Sequence, residues 1–145
     1  MTTAASALRP APRIDLGLLV LRVIVGIVFA AHGWQKLFVF GFAGVGGAFA
    51  QMGAPLPSVT GPLIGFVELL GGLALVAGLL TRLAAVGLAL DMLGAIVLVH
   101  AAAGFFAPNG VEFVLTLCAG ALTLLLTGAG RYSLDHRIAS RSGAR

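Results

Sequence analysis

Three ionisable residues lie inside long apolar stretches of this 145-residue chain: Arg22, Glu68 and Asp91. An ionised group at the bilayer centre costs about 2.5–3.5 kcal/mol on insertion scales, so such a group is normally paired, functional, or both. One guanidinium against two carboxylates leaves one acid without a partner, and an acid of that kind can carry a proton. The chemistry this allows is proton handling, recognition of a quinone headgroup, or binding of a small polar substrate. At 1.5 Å of rise per residue, Arg22 is about 9 Å in from Leu16 and Asp91 about 14 Å in from Arg82, so these two are the expected ion pair. Glu68, about 10 Å from Gly61, is the expected unpaired acid, nearer the outer leaflet, where His32 and Lys36 also fall. The competing reading is a structural network of Arg22, Glu68 and Asp91 that fixes helix register.

The composition dictates what must position these residues. Hydrophobic residues make up 59% of the chain and charged residues 10%, against about 25% charged in soluble domains. A chain this short has too little interior to hide that much apolar surface, which excludes a water-soluble globular protein. At about 20 residues per span, its apolar residues suffice for about four helices and no extramembrane domain. The spans are expected at 16–38, 62–80, 83–103 and 111–127, inside a single domain over 15–130. A flexible tail (1–14) precedes them and a basic tail (131–145) follows. Asp15 reads as the N-cap of the first helix and Pro62 as the first residue of the second. The bulky Phe29 before Ala30-Ala31 argues against signal cleavage, so the first span is retained. The glycine-rich stretch Phe40–Thr60, broken by Pro55 and Pro57, has room for a short outer-face helix over about Ala43–Met52. Seven arginines (Arg9, Arg13, Arg82, Arg131, Arg137, Arg141 and Arg145) fall on one side and Lys36 on the other, which places both termini in the cytoplasm. The fold expected is an all-α membrane protein, a four-helix bundle in the bacterial inner membrane.

Helical spacing aligns the charges with small residues. Arg22, Gly26, Phe29, Gly33 and Lys36 form one stripe; Gly61, Gly65, Glu68 and Gly72 a second; Gly87, Asp91 and Gly94 a third; Glu112, Thr116, Gly120, Thr123 and Thr127 a fourth. Small residues let membrane helices approach closely and polar ones need partners away from lipid, so the four stripes are expected to face one another, though they also permit a homo-oligomer. Glu112, three residues after Asn109, reads as part of a helix cap. His100 is about 180° round its helix from Asp91 and reads as an outer boundary residue. Three scattered histidines give no metal site, and the net charge of +4 suits lipid headgroups better than nucleic acid. The single cysteine, Cys118, excludes an intramolecular disulfide and reads as a small apolar filler.

The ordered set of these pieces resembles the DoxX family. It comprises LLVLRVIVGIVFAAHGWQKL with Arg22 and the His32-Gly33-x-Gln35-Lys36 motif, then Met52-Gly53-x-Pro55-x-Pro57, and Glu68 with Gly71-Gly72. Asp91-Met92, His100, GFFAPNGVEFVL and GAGRYSLD follow. The resemblance implies a bacterial inner-membrane protein of four helices, related to the small membrane subunit of thiosulfate:quinone oxidoreductase. It points to a component of a quinone-linked thiol or sulfur oxidoreductase or of an oxidative-stress system. Quinone would be a co-substrate and a partner protein or the substrate the source of electrons. On this reading Arg22 and Glu68 line the site, Asp91 orients Arg22, and His32, Gln35 and Lys36 bind substrate at the outer mouth. The alternatives are a small-molecule transporter and a non-enzymatic membrane scaffold or assembly subunit.

Overall fold

The computed structural model describes residues 12–142 and is helical, with no strand among them. The expected N-terminal tail lies outside the described residues as far as Ala11. Helix α1 (Pro12–Trp34) already includes Pro12 and Arg13. Asp15 therefore stands in the first turn of α1 instead of capping it, and its Oδ1 accepts the Arg131 backbone N–H at 3.0 Å. A π-helical stretch, Gln35–Phe40, follows α1, and α2 (Gly41–Gln51) follows that. As one straight rod these 40 residues would run about 60 Å, twice the hydrocarbon core. Gly41, at φ +70°, breaks the axis, a conformation that glycine adopts without a Cβ penalty.

Helix α3 (Pro57–Ala77) starts five residues earlier than the sequence suggests. Pro57 takes the opening position that Pro62 was expected to hold, and the Thr60 hydroxyl donates to the carbonyls of Pro55 and Leu56 at 3.0 and 3.2 Å. With 21 residues, α3 is about 32 Å long, one bilayer core. A tight turn leads into α4 (Thr81–Ala95), prolonged by π-helical and 3₁₀ turns to Ala103. Helix α5 (Glu112–Thr127) is shorter, and α6 (Leu134–Ser142) follows it. Helices α1 and α3, and α4 together with its extension to Ala103, are each long and apolar enough to cross a membrane, and α5 is a shorter apolar helix.

Neighbouring helices close a ring in the order α1, α3, α4, α5. The α1–α3 seam is the tightest, and the glycine stripes of the two helices make it. A Cβ on Gly33 would stand 2.3 Å from the Leu69 nitrogen, and one on Gly72 2.4 Å from the Ala30 nitrogen. Such backbone contact is how membrane helices gain dispersion energy when lipid is as apolar as their side chains. α2 continues the seam along the start of α3, with Gly46 beside Ser58 and Gly61 beside Val45.

The other two helices differ from expectation. On α4 the inward face is Thr81, Ala85, Leu88 and Met92, and Gly94 has nothing packed against it. On α5 the inward face is Val114, Leu117, Ala121 and Leu124, while Thr116, Thr123 and Thr127 lie on the exposed surface. Each of these threonines donates its hydroxyl to the carbonyl four residues back, at 2.7–2.8 Å. A hydroxyl satisfied within its own helix needs no interior partner, so it does not drive its face inward.

Of the segment expected as a basic tail (131–145), residues 131–142 are described and are tied to the bundle. The Ser133 hydroxyl donates to Gly130 O at 2.6 Å and accepts the His136 N–H at 3.1 Å, which caps α6. The Asp135 carboxylate accepts the N–H groups of Leu80 and Thr81 at 2.7 and 2.9 Å. These are first-turn donors of α4, whose N-cap Leu80 sits at φ 49° with no side-chain cap of its own. The Asp135 N–H in turn donates to Gly78 O at 2.9 Å. Asp135 thus caps one helix from another, and Asp135→Ala is expected to lower stability by about 1–2 kcal/mol. Thermal unfolding in mild detergent measures it, with Asp135→Asn keeping part of the loss at bay.

Candidate functional site

The charges gather halfway along α3. Gly33 on α1 and Gly65 on α3 let the two backbones touch, and the Lys36 stem, one turn beyond Gly33, crosses the Gly65 surface, where a Cβ would meet the Lys36 Cβ at 3.4 Å. From there the Lys36 ammonium reaches Glu68 Oε2, one turn further along α3, and forms a hydrogen-bonded ion pair. Lys36 belongs to the π-helical stretch after α1; such local widenings of a helix recur at functional sites. The Glu68 side chain is 4% exposed and that of Lys36 22%. This is the only ion pair among the described residues.

The α3–α4 register brings in the third charge. Gly71 packs against Leu88, with a Cβ there meeting the Leu88 side chain at 3.1 Å. Three residues back along α3 and three forward along α4, Glu68 faces Asp91. The Asp91 carboxylate accordingly feels both the Glu68 carboxylate and the Lys36 ammonium. Its Oδ2 is buried without a hydrogen-bond partner among the described residues. Two carboxylates and one ammonium thus share one intramembrane cluster of formal charge −1.

Two expectations about these residues change. Glu68 is not the acid left over, because Lys36 pairs with it. It also lies near the middle of α3 and not in its first half, because α3 begins at Pro57 and not at Pro62. The expected Arg22–Asp91 pair does not form either. Arg22 is level with Gly78, where a Cβ would stand 2.6 Å from Nη1. Its Nη1 donates to the carbonyls of Leu75 and Val76 at 2.9 and 2.7 Å, and its Nη2 to Tyr132 O. Leu75 and Val76 offer two of the last carbonyls of α3, a recurrent partner for a basic side chain at a helix C-terminus, and Leu75 O also accepts the Gly78 N–H at 3.1 Å. Glu68 and Gly78 are ten residues apart on α3, so Arg22 and the cluster are separated by about 15 Å along it. The layer between them is apolar: Phe29, Leu75, Leu88 and Leu124 are buried there.

The other candidates lie around the cluster or away from it. His32 is half-buried with its ring 5.7 Å from that of Phe113 on α5, and Gln35 is exposed on the π-helical stretch. His100 Nδ1 lies 2.7 Å from the Asn109 carbonyl. A carbonyl only accepts, so Nδ1 carries the proton. Glu112 opens α5 and its Oε1 accepts the Ala107 N–H at 2.6 Å. The expected cap with Asn109 does not form: Val111 holds the N-cap position, and Glu112 is the first residue of the helix and ties back to the preceding loop instead. Cys118 is buried between α5 and α4. Two recesses, of about 550 and 560 Å³, are lined by Asp15, Ser133 and His136 and by Arg13, Gly17 and Ile24, at the end where α1 begins.

Comparison with known proteins places this architecture. The DoxX family model matches residues 17–101, which include Arg22, Lys36, Glu68 and Asp91. A membrane protein of Mycobacterium tuberculosis, Rv3486, is 38% identical, with 86% of this chain and 82% of that protein covered. A Bacillus subtilis protein named "Putative oxidoreductase CatD" is 38% identical over 83% of this chain and 86% of its own length. The inner membrane protein YqjF of Escherichia coli is 38% identical over 83% and 91% respectively. No solved structure matches the chain. With that model and these relatives spanning most of its length, the chain is an integral membrane protein that belongs to the DoxX family.

Proposed function

We propose that this protein is the membrane subunit of a quinone-linked oxidoreductase of the bacterial inner membrane, in which Lys36, Glu68 and Asp91 handle protons. The observation that carries the reading is the cluster itself: two carboxylates and one ammonium gathered in the middle of a transmembrane bundle, where each charge is costly. Reducing a quinone to its quinol takes two electrons and two protons. The electrons come from a thiol or sulfur compound oxidised on a partner protein. The protons come through the carboxyl groups, and Lys36 steadies negative charge on the ring oxygen. Lys36 and Asp91 each keep part of their surface exposed, which leaves room for a quinone to reach them. A relative named as an oxidoreductase supports the redox class. Arg22 serves this site at a distance, by holding α1 against the end of α3.

The test uses membranes in which the protein is co-expressed with its partners, and it follows thiol- or thiosulfate-dependent quinone reduction. Glu68→Gln and Asp91→Asn are each expected to lower the rate at least tenfold, with folded protein still present by size-exclusion chromatography. Wild-type rates in both variants across pH would remove the cluster from the mechanism. Ligand flux in reconstituted vesicles without redox change would assign the protein to transport instead. A folded chain with neither activity would make the cluster a register-fixing scaffold.

A further inference from the structure

We infer that the end of the bundle where α1 begins is a docking surface for anionic phospholipid headgroups, with α6 lying along the membrane surface. The inference stands apart from the redox reading and concerns the opposite end of Arg22's clasp from the cluster.

Its first support is the distribution of charge. Arg13, Arg82, Arg131, Arg137 and Arg141 are exposed at this end. None of them forms an ion pair among the described residues. The two acids of the same end accept from backbone N–H groups: Asp15 Oδ1 from Arg131, and the two oxygens of Asp135 from Leu80 and Thr81. Neither acid is within ion-pair distance of these five guanidinium groups. Set against Asp15 and Asp135, the five exposed arginines leave this end a net charge of +3, the complement of a layer of lipid phosphates, and guanidinium groups pair with phosphate in a two-pronged geometry.

The second support is the build of α6. Leu134 and Ile138 are four residues apart, as are Arg137 and Arg141, and at about 100° per residue the two pairs sit side by side on the helix. Leu134 and Ile138 are 39% and 54% exposed, with Tyr132 beside them at 56%. His136 and Ser140 fall on the opposite side. An apolar stripe flanked by arginines, with small polar groups behind, is the pattern of a helix that lies in the interface with its cations at phosphate level. α6 is also held in place for this: the Ser133 cap and the Asp135 bridge to α4 fix its start beside the exposed apolar residues Leu79, Leu80 and Leu83.

The experiment places an environment-sensitive fluorophore on a single cysteine, Ile138→Cys in a Cys118→Ala background, in full-length protein reconstituted into vesicles. In phosphatidylcholine with phosphatidylglycerol the emission is expected to be blue-shifted relative to phosphatidylcholine alone, and the shift to fade in high salt. Each arginine near a charged surface is worth about fivefold in the docked-to-free ratio, about 1 kcal/mol. Arg137→Gln with Arg141→Gln should therefore lower the ratio about 25-fold, while Arg137→Lys with Arg141→Lys restores most of it. Equal emission in both lipid mixtures, or no effect of the glutamine pair, overturns the inference. A shift that follows the protein-to-lipid ratio and not lipid charge assigns the face to a second copy of the chain and overturns it too.

Discussion

Replacing Glu68 by Leu is expected to destabilise the bundle by about 3 kcal/mol, and Lys36→Met by a similar amount. Removing one partner of a buried ion pair costs about 3–5 kcal/mol, because the other charge is left in a medium that cannot solvate it. The lower end applies because Lys36 keeps 22% of its surface and because Asp91 remains close to the ammonium. The double variant is expected to fall well short of the sum, with a coupling of about 2 kcal/mol or more, since removing both charges removes the unsolved desolvation as well. Urea or thermal unfolding of the four proteins in one detergent completes the cycle. Additive losses would mean that Lys36 and Glu68 do not share an interaction in the folded protein.

A methyl group at Gly33 is expected to cost more than its size suggests. The added Cβ would meet backbone atoms of α3, Leu69 N at 2.3 Å and Gly65 O at 2.6 Å, and backbone cannot change rotamer to make room. Overpacking of a core costs about 1–3 kcal/mol and occasionally more, and Gly33→Ala belongs at or above the top of that range. It also pushes apart the two helices that carry Lys36 and Glu68, so quinone reduction should fall with stability. Gly17→Ala provides the contrast. Gly17 has nothing within 4 Å of the added atom, so the substitution should gain about 0.5–1 kcal/mol from helix propensity alone. Thermal unfolding of the two variants side by side measures the difference; equal behaviour would contradict the close α1–α3 seam.

The sequence made some of this legible and hid the rest for identifiable reasons. The α1 and α3 stripes could be read because glycine spacing reports close backbone approach, and the structure packs Gly26, Gly33, Gly65 and Gly72 on one seam. The depth of Arg22 could not be read, because its estimate set the start of α1 level with the start of α4. In the structure α1 starts at Pro12, ten residues before Arg22, and Arg22 comes level with the α3–α4 turn at Gly78. The glycine stripes held the missing signal: Gly33 and Gly65 meet, and the next charged positions along each stripe are Lys36 and Glu68. The threonines of α5 misled because hydroxyl spacing looks like an inward polar face even when each hydroxyl is satisfied four residues back. Asp135 was invisible as a cap because its donors, Leu80 and Thr81, are more than fifty residues away in sequence.

The arrangement rests on Asp91 facing Glu68 and Lys36 and not Arg22. In a Cys118→Ala background, Glu68→Cys with Asp91→Cys and Arg22→Cys with Asp91→Cys can be treated in membranes with a short bifunctional thiol reagent, and intramolecular links read by mass spectrometry. The 68–91 pair is expected to link in high yield and the 22–91 pair not at all. Linkage of the 22–91 pair without linkage of the 68–91 pair would contradict the cluster and restore Arg22 as the partner of Asp91.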